Sequence, residues 1–197
     1  MFVALVPPTE AIEHLDEFLA PRRPAGELRW ARTDQLHVTL AFLDSVAEHR
    51  LDELVERLGR AAARRTSFET RIAGGGAFPN VGRARVLWAG LELDEHGRTE
   101  LDRLAVGARA AASRTGIEVE GRRFRPHLTV ARLARPAELT SWVRLLDAYS
   151  GPSWRAAEVA LIWSHLGEGP RRTPRYELVD TFPLASQSGL SADGGLV

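Results

Sequence analysis

The four-residue pattern His-apolar-Thr-apolar occurs twice in the sequence, at residues 37–40 (HVTL) and at residues 127–130 (HLTV). Alternation with a period of two predicts a half-buried β-strand, on which residues i and i+2 point to the same face. The histidine and the threonine of each copy therefore share one face, and the two apolar residues enter a core behind it. The chain is thus predicted to present an imidazole beside a hydroxyl on two separate strands.

The segments around the two motifs repeat in the same order: a strand, the His strand, a helix and two further strands. The other strands are predicted near residues 2–6, 68–72, 85–91, 117–120, 157–165 and 176–182, and helical apolar stripes lie at residues 12–19, 51–58, 101–112 and 139–146. This order predicts an α+β fold. It is a bilobal, duplicated unit of two antiparallel sheets with outer helices and a central cleft lined by the two His-x-Thr strands.

Domain organisation follows from the distribution of flexible residues. No Pro- or Gly-rich linker of real length separates the two halves, so residues 1–184 are predicted to form a single bilobal domain. Residues 185–197 are rich in Ser and Gly and have no periodicity, which predicts a disordered tail.

Three local features complete the prediction. Ser45 with Glu48 fits a capping box at the start of a helix. Pro136 is expected to open the last helical segment, since proline suits a first helical turn. The run of glycines at residues 74–76 lacks the Lys-Ser/Thr of a phosphate-binding loop and is interpreted as a plain loop.

Composition excludes several classes. The 26 basic and 26 acidic residues give a formal net charge of +0, which argues against wrapping a long nucleic acid. The absence of cysteine excludes disulfides and cysteine metal sites and favours a cytoplasmic protein. The apolar segment at residues 2–6 stops at Pro7 and lacks a basic leader, so we expect a first strand rather than a signal peptide or a membrane span.

Two histidines in one site can run acid–base chemistry near neutral pH, because an unperturbed imidazole titrates at about pH 6.5. One neutral imidazole can accept a proton from a nucleophile while the other, protonated, donates one to a leaving oxygen. The hydroxyls of Thr39 and Thr129 can hold the other oxygens of a tetrahedral anion. Such a site suits phosphodiester transfer and needs no metal. The alternative is that both copies are ordinary core residues of a duplicated fold.

The chain resembles the 2H phosphoesterase superfamily, and in particular its RNA 2′,3′-cyclic phosphodiesterases, also called 2′-5′ RNA ligases. Besides the two motifs, the resemblance rests on the opening Phe2-x-Ala4 strand, Trp30, the Phe78-Pro79 pair and the strand at residues 85–88. It covers residues 2–184. It implies a bilobal fold with both His-x-Thr strands in a central cleft, and hydrolysis of an RNA terminal 2′,3′-cyclic phosphate to a 2′-phosphate without metal or other cofactor.

The resemblance also implies individual roles. His37 would donate a proton to the leaving 3′ oxygen, His127 would activate water, and Thr39 and Thr129 would grip the phosphate, although the sequence alone leaves the two histidine roles interchangeable. Arg132 is a candidate substrate contact. Strict alternation would place Arg132 on the face opposite His127, so it needs a bulge or a strand end to reach the substrate. The alternative is an arginine at the sheet edge with a surface partner.

The implied partner is RNA with a 2′,3′-cyclic phosphate end, such as a tRNA fragment, and nothing in the sequence demands a membrane or a dimer. Two alternatives stay open. The same site could ligate RNA by a 2′-5′ bond or cleave 2′-5′ linked oligonucleotides or other cyclic nucleotides. The cleft could also serve a non-catalytic module that binds RNA ends.

Weaker candidates lie outside the motifs. Phe2 and Phe78 could stack on a terminal base, with core packing as the alternative. Two arginine clusters could follow a phosphate backbone or could simply be solvated: Arg122, Arg123 and Arg125, and Arg171, Arg172 and Arg175. The remaining histidines have no partners at metal-ligand spacing and are interpreted as surface or hydrogen-bonded residues: His14, His49, His96 and His165.

Overall fold

The computed structural model describes residues 1–25, 28–121, 123–169 and 174–186 and confirms the α+β class. Its strands are β1 (Phe2–Leu5), β2 (Arg29–Trp30), β3 (Val38–Phe42), β4 (Phe68–Phe78), β5 (Ala84–Leu93), β6 (Leu128–Ala137), β7 (Ser150–Ala156), β8 (Glu158–His165) and β9 (Arg175–Pro183). Its α-helices are α1 (Thr9–Leu19), α2 (Leu51–Ala62), α3 (Glu95–Arg114) and α4 (Thr140–Asp147). None of the helices described is long and apolar enough to cross a membrane.

The strands pair in the order β7-β4-β5-β6-β3-β1-β8-β9, with β2 added beside β6, and every pair is antiparallel. Two four-stranded halves are evident: the His37 half (β3, β1, β8, β9) and the His127 half (β7, β4, β5, β6). We expected two separate sheets. The halves instead form one continuous sheet, because the two His strands pair with each other at Val38 and Leu128.

The helices cover one face of this sheet. Each contributes a leucine that is at most 1% exposed, namely Leu15, Leu54, Leu101 and Leu146, and all four belong to one core cluster with strand residues of both halves. Burial of such a side chain stabilises the fold by roughly 1.5–3 kcal/mol. The amphipathic stripes predicted from the sequence therefore hold the helices against the back of the sheet.

The other face, which we call the histidine face, is away from the helices. In the His37 half it carries Phe2 and Ala4, which form a second apolar cluster separate from the main core, and Thr39, which pairs with Ala4. In the His127 half it carries Trp88 and its partner Thr129.

The glycines at residues 74–76 lie inside β4, so the predicted loop is wrong. A Cβ added to Gly75 would lie 2.5 Å from the Cβ of Leu146, and one added to Gly76 would overlap the indole of Trp88. Glycine therefore serves close packing here: Gly75 admits helix α4 to the core side, and Gly76 admits Trp88 on the histidine face.

Two further boundaries differ from the prediction. Helix α2 begins at Leu51 after a 3-10 turn at Glu48–Arg50, and no side chain caps it, so the capping box at Ser45 is wrong. Pro136 lies near the end of β6, and α4 begins only at Thr140. A proline is compatible with both a strand end and a helix start, which is why its position alone misplaced the boundary.

Strand content also differs in two places. The predicted strand at residues 117–120 is reduced to an isolated bridge between Leu43 and Val119. Strand β7 was not predicted, because its sequence SGPSWRA has no period-two apolar pattern, yet it pairs along β4. Of the tail expected to be disordered, Ala185 is bridged to Thr66, and residues 187–197 lie outside the described residues.

Candidate active site

Both His strands contain a β-bulge at the same position. The extra residue is Leu40 in β3 and Val130 in β6, and each is buried together with the residue that follows it. A bulge shifts the alternation by one residue. The next side chains, Phe42 and Arg132, therefore return to the histidine face, opposite Phe2 and Val86 respectively. The bulge that Arg132 needs in order to share a face with His127 is present.

His37 is held by contacts on two sides. Its Nδ1 is 2.8 Å from the carbonyl oxygen of Gln35. Its ring stacks on Phe2, with the centroids 4.5 Å apart and the planes inclined by 22°, and meets the edge of Tyr176 at 5.6 Å. Tyr176 also packs edge-on against Phe2, so the three rings fix the imidazole plane.

His127 has an equivalent backbone contact and a different aromatic environment. Its Nδ1 is 2.7 Å from the carbonyl oxygen of Arg125. Its ring makes edge contacts with Phe78 at 4.9 Å and with Trp88 at 6.1 Å. Phe78 and Trp88 also contact each other at 5.5 Å, so the pair forms a wall on one side of the imidazole.

The two backbone contacts determine the tautomer of both histidines. A carbonyl oxygen can only accept, so Nδ1 carries the proton and donates it in each ring. Each neutral imidazole then has its lone pair on Nε2. In both cases the acceptor is the carbonyl two residues earlier, so the segment before each strand imposes the same tautomer on its histidine.

Burial and charge lower the pKa of both histidines. The pKa of His37 falls to about 4, mainly because burial disfavours the imidazolium, with smaller contributions from the charges of His127 and Arg132. Burial and the charge of Arg132 also lower the pKa of His127, and the hydrogen bond to a carbonyl opposes the shift in each case. Burial raises the pKa of Tyr176, against the effect of Arg132. Both imidazoles are therefore neutral at pH 7, and the Arg132 charge acts on all three groups.

The two threonines lie on the histidine face and are half-buried. Thr39 is opposite Ala4 in β1, and Thr129 is opposite Trp88 in β5. Within the part of the chain that the structure describes, neither hydroxyl has a hydrogen-bond partner, and Arg132 has no ion-pair partner. These groups are therefore available to an anion. Among the same residues, no three His, Cys, Asp or Glu side chains are grouped as metal ligands would be.

The weaker candidates are distributed elsewhere. Arg175 pairs with Glu168 and Glu177 at 2.9 and 3.1 Å, which accounts for its charge, while Arg122, Arg171 and Arg172 lie outside the described residues. Three other histidines have hydrogen-bond partners of their own: His14 with Tyr149, His96 with Thr66 and His165 with Glu177.

Phe2 and Phe78 both pack against a catalytic candidate, and Phe2 is only 2% exposed. Sequence reasoning missed Tyr176 as a neighbour of His37, because the tyrosine lies in the last strand and no motif surrounds it. Tyr176 reaches His37 because it pairs with Ser164 of β8. The sequence pattern places Trp88 in a strand but does not predict its contact with His127. Gly76, which lies opposite Trp88, is the sequence feature that could have indicated a large ring on that face.

Two equivalent halves, each with a His-x-Thr strand at their junction, match the class indicated by the motifs, the 2H phosphoesterases. The chain belongs to the LigT-like phosphoesterase family, whose sequence model matches residues 5–88 and 91–171.

Curated relatives agree with this membership. A Thermus thermophilus protein named RNA 2′,3′-cyclic phosphodiesterase is 29% identical over 191 residues, which is 96% of this chain and 92% of that protein. A Geobacillus stearothermophilus protein of the same name is 27% identical over 201 residues, or 98% of this chain. The aligned region spans only 60% of the length of the Geobacillus protein.

Solved structures show the same fold. A Thermus thermophilus crystal structure superposes with a TM-score of 0.75 at 29% identity, covering 94% of this chain and 98% of that one. Escherichia coli LigT in complex with 3′-AMP superposes with a TM-score of 0.72 at 27% identity, covering 93% and 96%.

Proposed function

We propose that the protein hydrolyses the 2′,3′-cyclic phosphate at an RNA end to a 2′-phosphate, using His37 and His127 as acid and base and no metal. The observation that carries the proposal is the matched tethering of the two imidazoles. Both donate Nδ1–H to a carbonyl, so both keep Nε2 for proton transfer. The names of the curated relatives support the substrate class.

In the proposed reaction, Nε2 of His127 accepts a proton from water as the water oxygen attacks phosphorus. The bond between phosphorus and the 3′ oxygen breaks, and Nε2–H of His37 donates a proton to that oxygen. The products are a 2′-phosphate and a 3′-hydroxyl. Thr39, Thr129 and Arg132 hold the non-bridging oxygens, where charge accumulates in the transition state.

The acid role requires a proton that His37 lacks in the free protein at pH 7. A bound phosphodiester supplies one negative charge, which favours the imidazolium and raises the pKa of a nearby histidine. Substrate binding therefore opposes the effects of burial and Arg132 at the moment when the proton is needed. In the ligation direction, the two histidines would exchange roles.

The proposal also covers the substrate RNA, the oligomeric state and the cellular compartment. RNA fragments with cyclic phosphate ends, including tRNA fragments, are the substrates, and the chain acts as a monomer in the cytoplasm. The balanced charge supports short RNA ends rather than long duplexes, since a long footprint needs an excess of basic residues.

The test is incubation of purified protein, in excess EDTA, with a short RNA that ends in a 2′,3′-cyclic phosphate, followed by chromatographic separation of the 2′- and 3′-phosphate products. A 2′-phosphate formed at an undiminished rate in EDTA is expected. Loss of activity in EDTA would contradict metal independence, and a 3′-phosphate would reverse the assigned geometry. Adding a partner RNA with a 5′-hydroxyl separates hydrolysis from ligation, because ligation yields a longer, 2′-5′ linked product.

A further inference from the structure

A row of four apolar side chains crosses the His37 half on the histidine face. Phe42 is opposite Phe2, Phe2 is opposite Ile162, and Ile162 is opposite Leu178, so one side chain comes from each strand. The inner two are buried, at 2% and 8% exposure, whereas Phe42 is 51% exposed and Leu178 is 62% exposed. The row therefore begins and ends with apolar surface that the protein itself leaves open.

The same row in the His127 half has different chemistry. There, Arg132 is opposite Val86, and Val86 is opposite Phe78. Phe42 and Arg132 follow the equivalent bulges, so they occupy equivalent positions of the duplicated unit. One position carries an uncharged ring and the other carries a cation.

The two positions also lie at opposite ends of the paired His strands. The strands are antiparallel and meet at Val38 and Leu128. Phe42 lies four residues beyond the first of these and Arg132 four residues beyond the second, so the chain carries them in opposite directions. The histidines lie between them, next to the meeting point. A ligand that spans the histidines therefore meets an apolar ring at one end and a positive charge at the other.

Among the described residues, Phe42 is the exposed large aromatic on the histidine face. Phe2 is covered by His37, Tyr176 and Phe42 itself. Trp163 is also exposed, at 40%, but it follows Ile162 in β8 and so points to the other face. The contact between Phe42 and Phe2 is tilted, with centroids 6.1 Å apart, and leaves much of the Phe42 ring open.

We propose that Phe42 is the platform for the nucleobase of the cyclic-phosphate nucleotide, with the phosphate at the histidines on the side of Arg132. The proposal rests on the function proposed above and gives the substrate one orientation. A nucleobase is the planar, uncharged part of the substrate and stacks on aromatic rings with little regard to sequence. The phosphate requires the cation, because Phe42 and Leu178 offer it neither charge nor a hydrogen bond.

The test compares two substrates that differ only in the base. One is a dinucleotide that ends in adenosine 2′,3′-cyclic phosphate, and the other is the same dinucleotide with an abasic ribose 2′,3′-cyclic phosphate at that end. The measured quantity is the ratio of kcat/KM for the first substrate to that for the second. Phe42→Leu is expected to lower this ratio by about 5- to 100-fold, the range of one base–aromatic stack. Phe42→Trp is expected to keep or raise it.

The matched control is Trp163→Leu, which removes an exposed aromatic ring from the other face of the same half and leaves the ratio unchanged. An unchanged ratio in Phe42→Leu would overturn the proposal, and so would an equal loss on both substrates, which would mark Phe42 as a structural residue. Thermal melting of each variant accompanies the kinetics.

Failure of the proposed function is recognised separately. If the wild type turns over neither substrate, calorimetric titration with adenosine 2′-phosphate and with ribose 2-phosphate decides the orientation by binding alone. A 5-fold or greater weakening of the adenosine ligand relative to the ribose ligand in Phe42→Leu would support the base platform in a binding module. Equal affinities in Phe42→Leu and the wild type would overturn it.

Discussion

The two halves of the sheet share a plan but differ in what surrounds each histidine. In the His37 half, the ring stacks on a buried Phe2 and is closed off by Tyr176, and its pKa falls to about 4. In the His127 half, the ring has edge contacts with Phe78 and Trp88, and burial and the charge of Arg132 lower its pKa. The backbone tether is the same in both. The backbone hydrogen bond shared by the two halves therefore fixes the tautomer of each histidine, while the surrounding side chains, which differ, set its burial and so influence its pKa.

A second difference concerns the two residues that lie next to each threonine on the neighbouring strands. Thr39 is followed across the sheet by Ala4 and Ala160, two small residues. Thr129 is followed by Trp88 and a glycine, Gly76, which the indole covers. The equivalent positions therefore hold two small side chains in one half, and one large ring with no side chain opposite it in the other.

The largest expected effect is the loss of kcat when either histidine is replaced. His37→Ala and His127→Ala should each lower kcat by at least about 100-fold, because each removes one proton-transfer group. Hydrolysis of a cyclic-phosphate RNA followed by chromatography measures the loss. His49→Ala, which removes an exposed histidine outside the site, is the control and should keep wild-type turnover. Full activity of the double variant would refute the two-histidine mechanism.

Removing Arg132 should alter both halves together. Arg132→Gln is expected to lower kcat/KM by about 10- to 100-fold, the usual size of a charge-assisted hydrogen bond. Because the Arg132 charge lowers the pKa of both histidines, the variant should also move the pH profile of kcat/KM to higher pH. The wild-type profile itself should peak below pH 6.5. A loss of rate with an unmoved profile would assign Arg132 to binding alone.

Gly76→Ala tests the packing that distinguishes the His127 half. The added Cβ overlaps the Trp88 indole, so the ring must shift away from His127. Overpacking of this kind costs about 1–3 kcal/mol of stability, measured by urea unfolding. We also expect a several-fold loss of kcat. The reciprocal control is Ala160→Gly in the equivalent strand pair, which should leave His127 chemistry intact. A fully stable and active Gly76→Ala would show that the ring can be rearranged freely.

The last prediction concerns the pH dependence of the free energy of unfolding, which follows from the lowered pKa of His37. His37 is neutral when folded, and its pKa rises from about 4 to 6.5 on unfolding, so the unfolded chain binds the extra proton. Stability should therefore be complete above pH 6.5 and decline between pH 6.5 and pH 4, by at most roughly 3 kcal/mol from this residue. His37→Gln should flatten that decline in urea titrations at several pH values. His49→Gln should retain it, and an equally steep decline in His37→Gln would refute the assignment.

Much of the site was predictable from local pattern. The period of two put His37 with Thr39 and His127 with Thr129, and the same pattern predicted most strands and the α+β class. The need for a bulge before Arg132 also followed from alternation alone. These features depend on residues a few positions apart, whose relative directions the backbone geometry fixes.

Other features required the tertiary structure. Tyr176 reaches His37 through the pairing of β8 with β9, and Gly76 leaves room for the Trp88 indole across the pair of β4 with β5. Both contacts join residues far apart in the chain, and no local preference encodes them. The low pKa of His37 likewise comes from burial by Phe2 and Tyr176, which exists once the sheet is assembled. The local pattern was enough to identify the candidate catalytic groups and the faces on which they lie. Their surroundings depend on the assembled fold, because burial and long-range pairing are properties of the packed sheet.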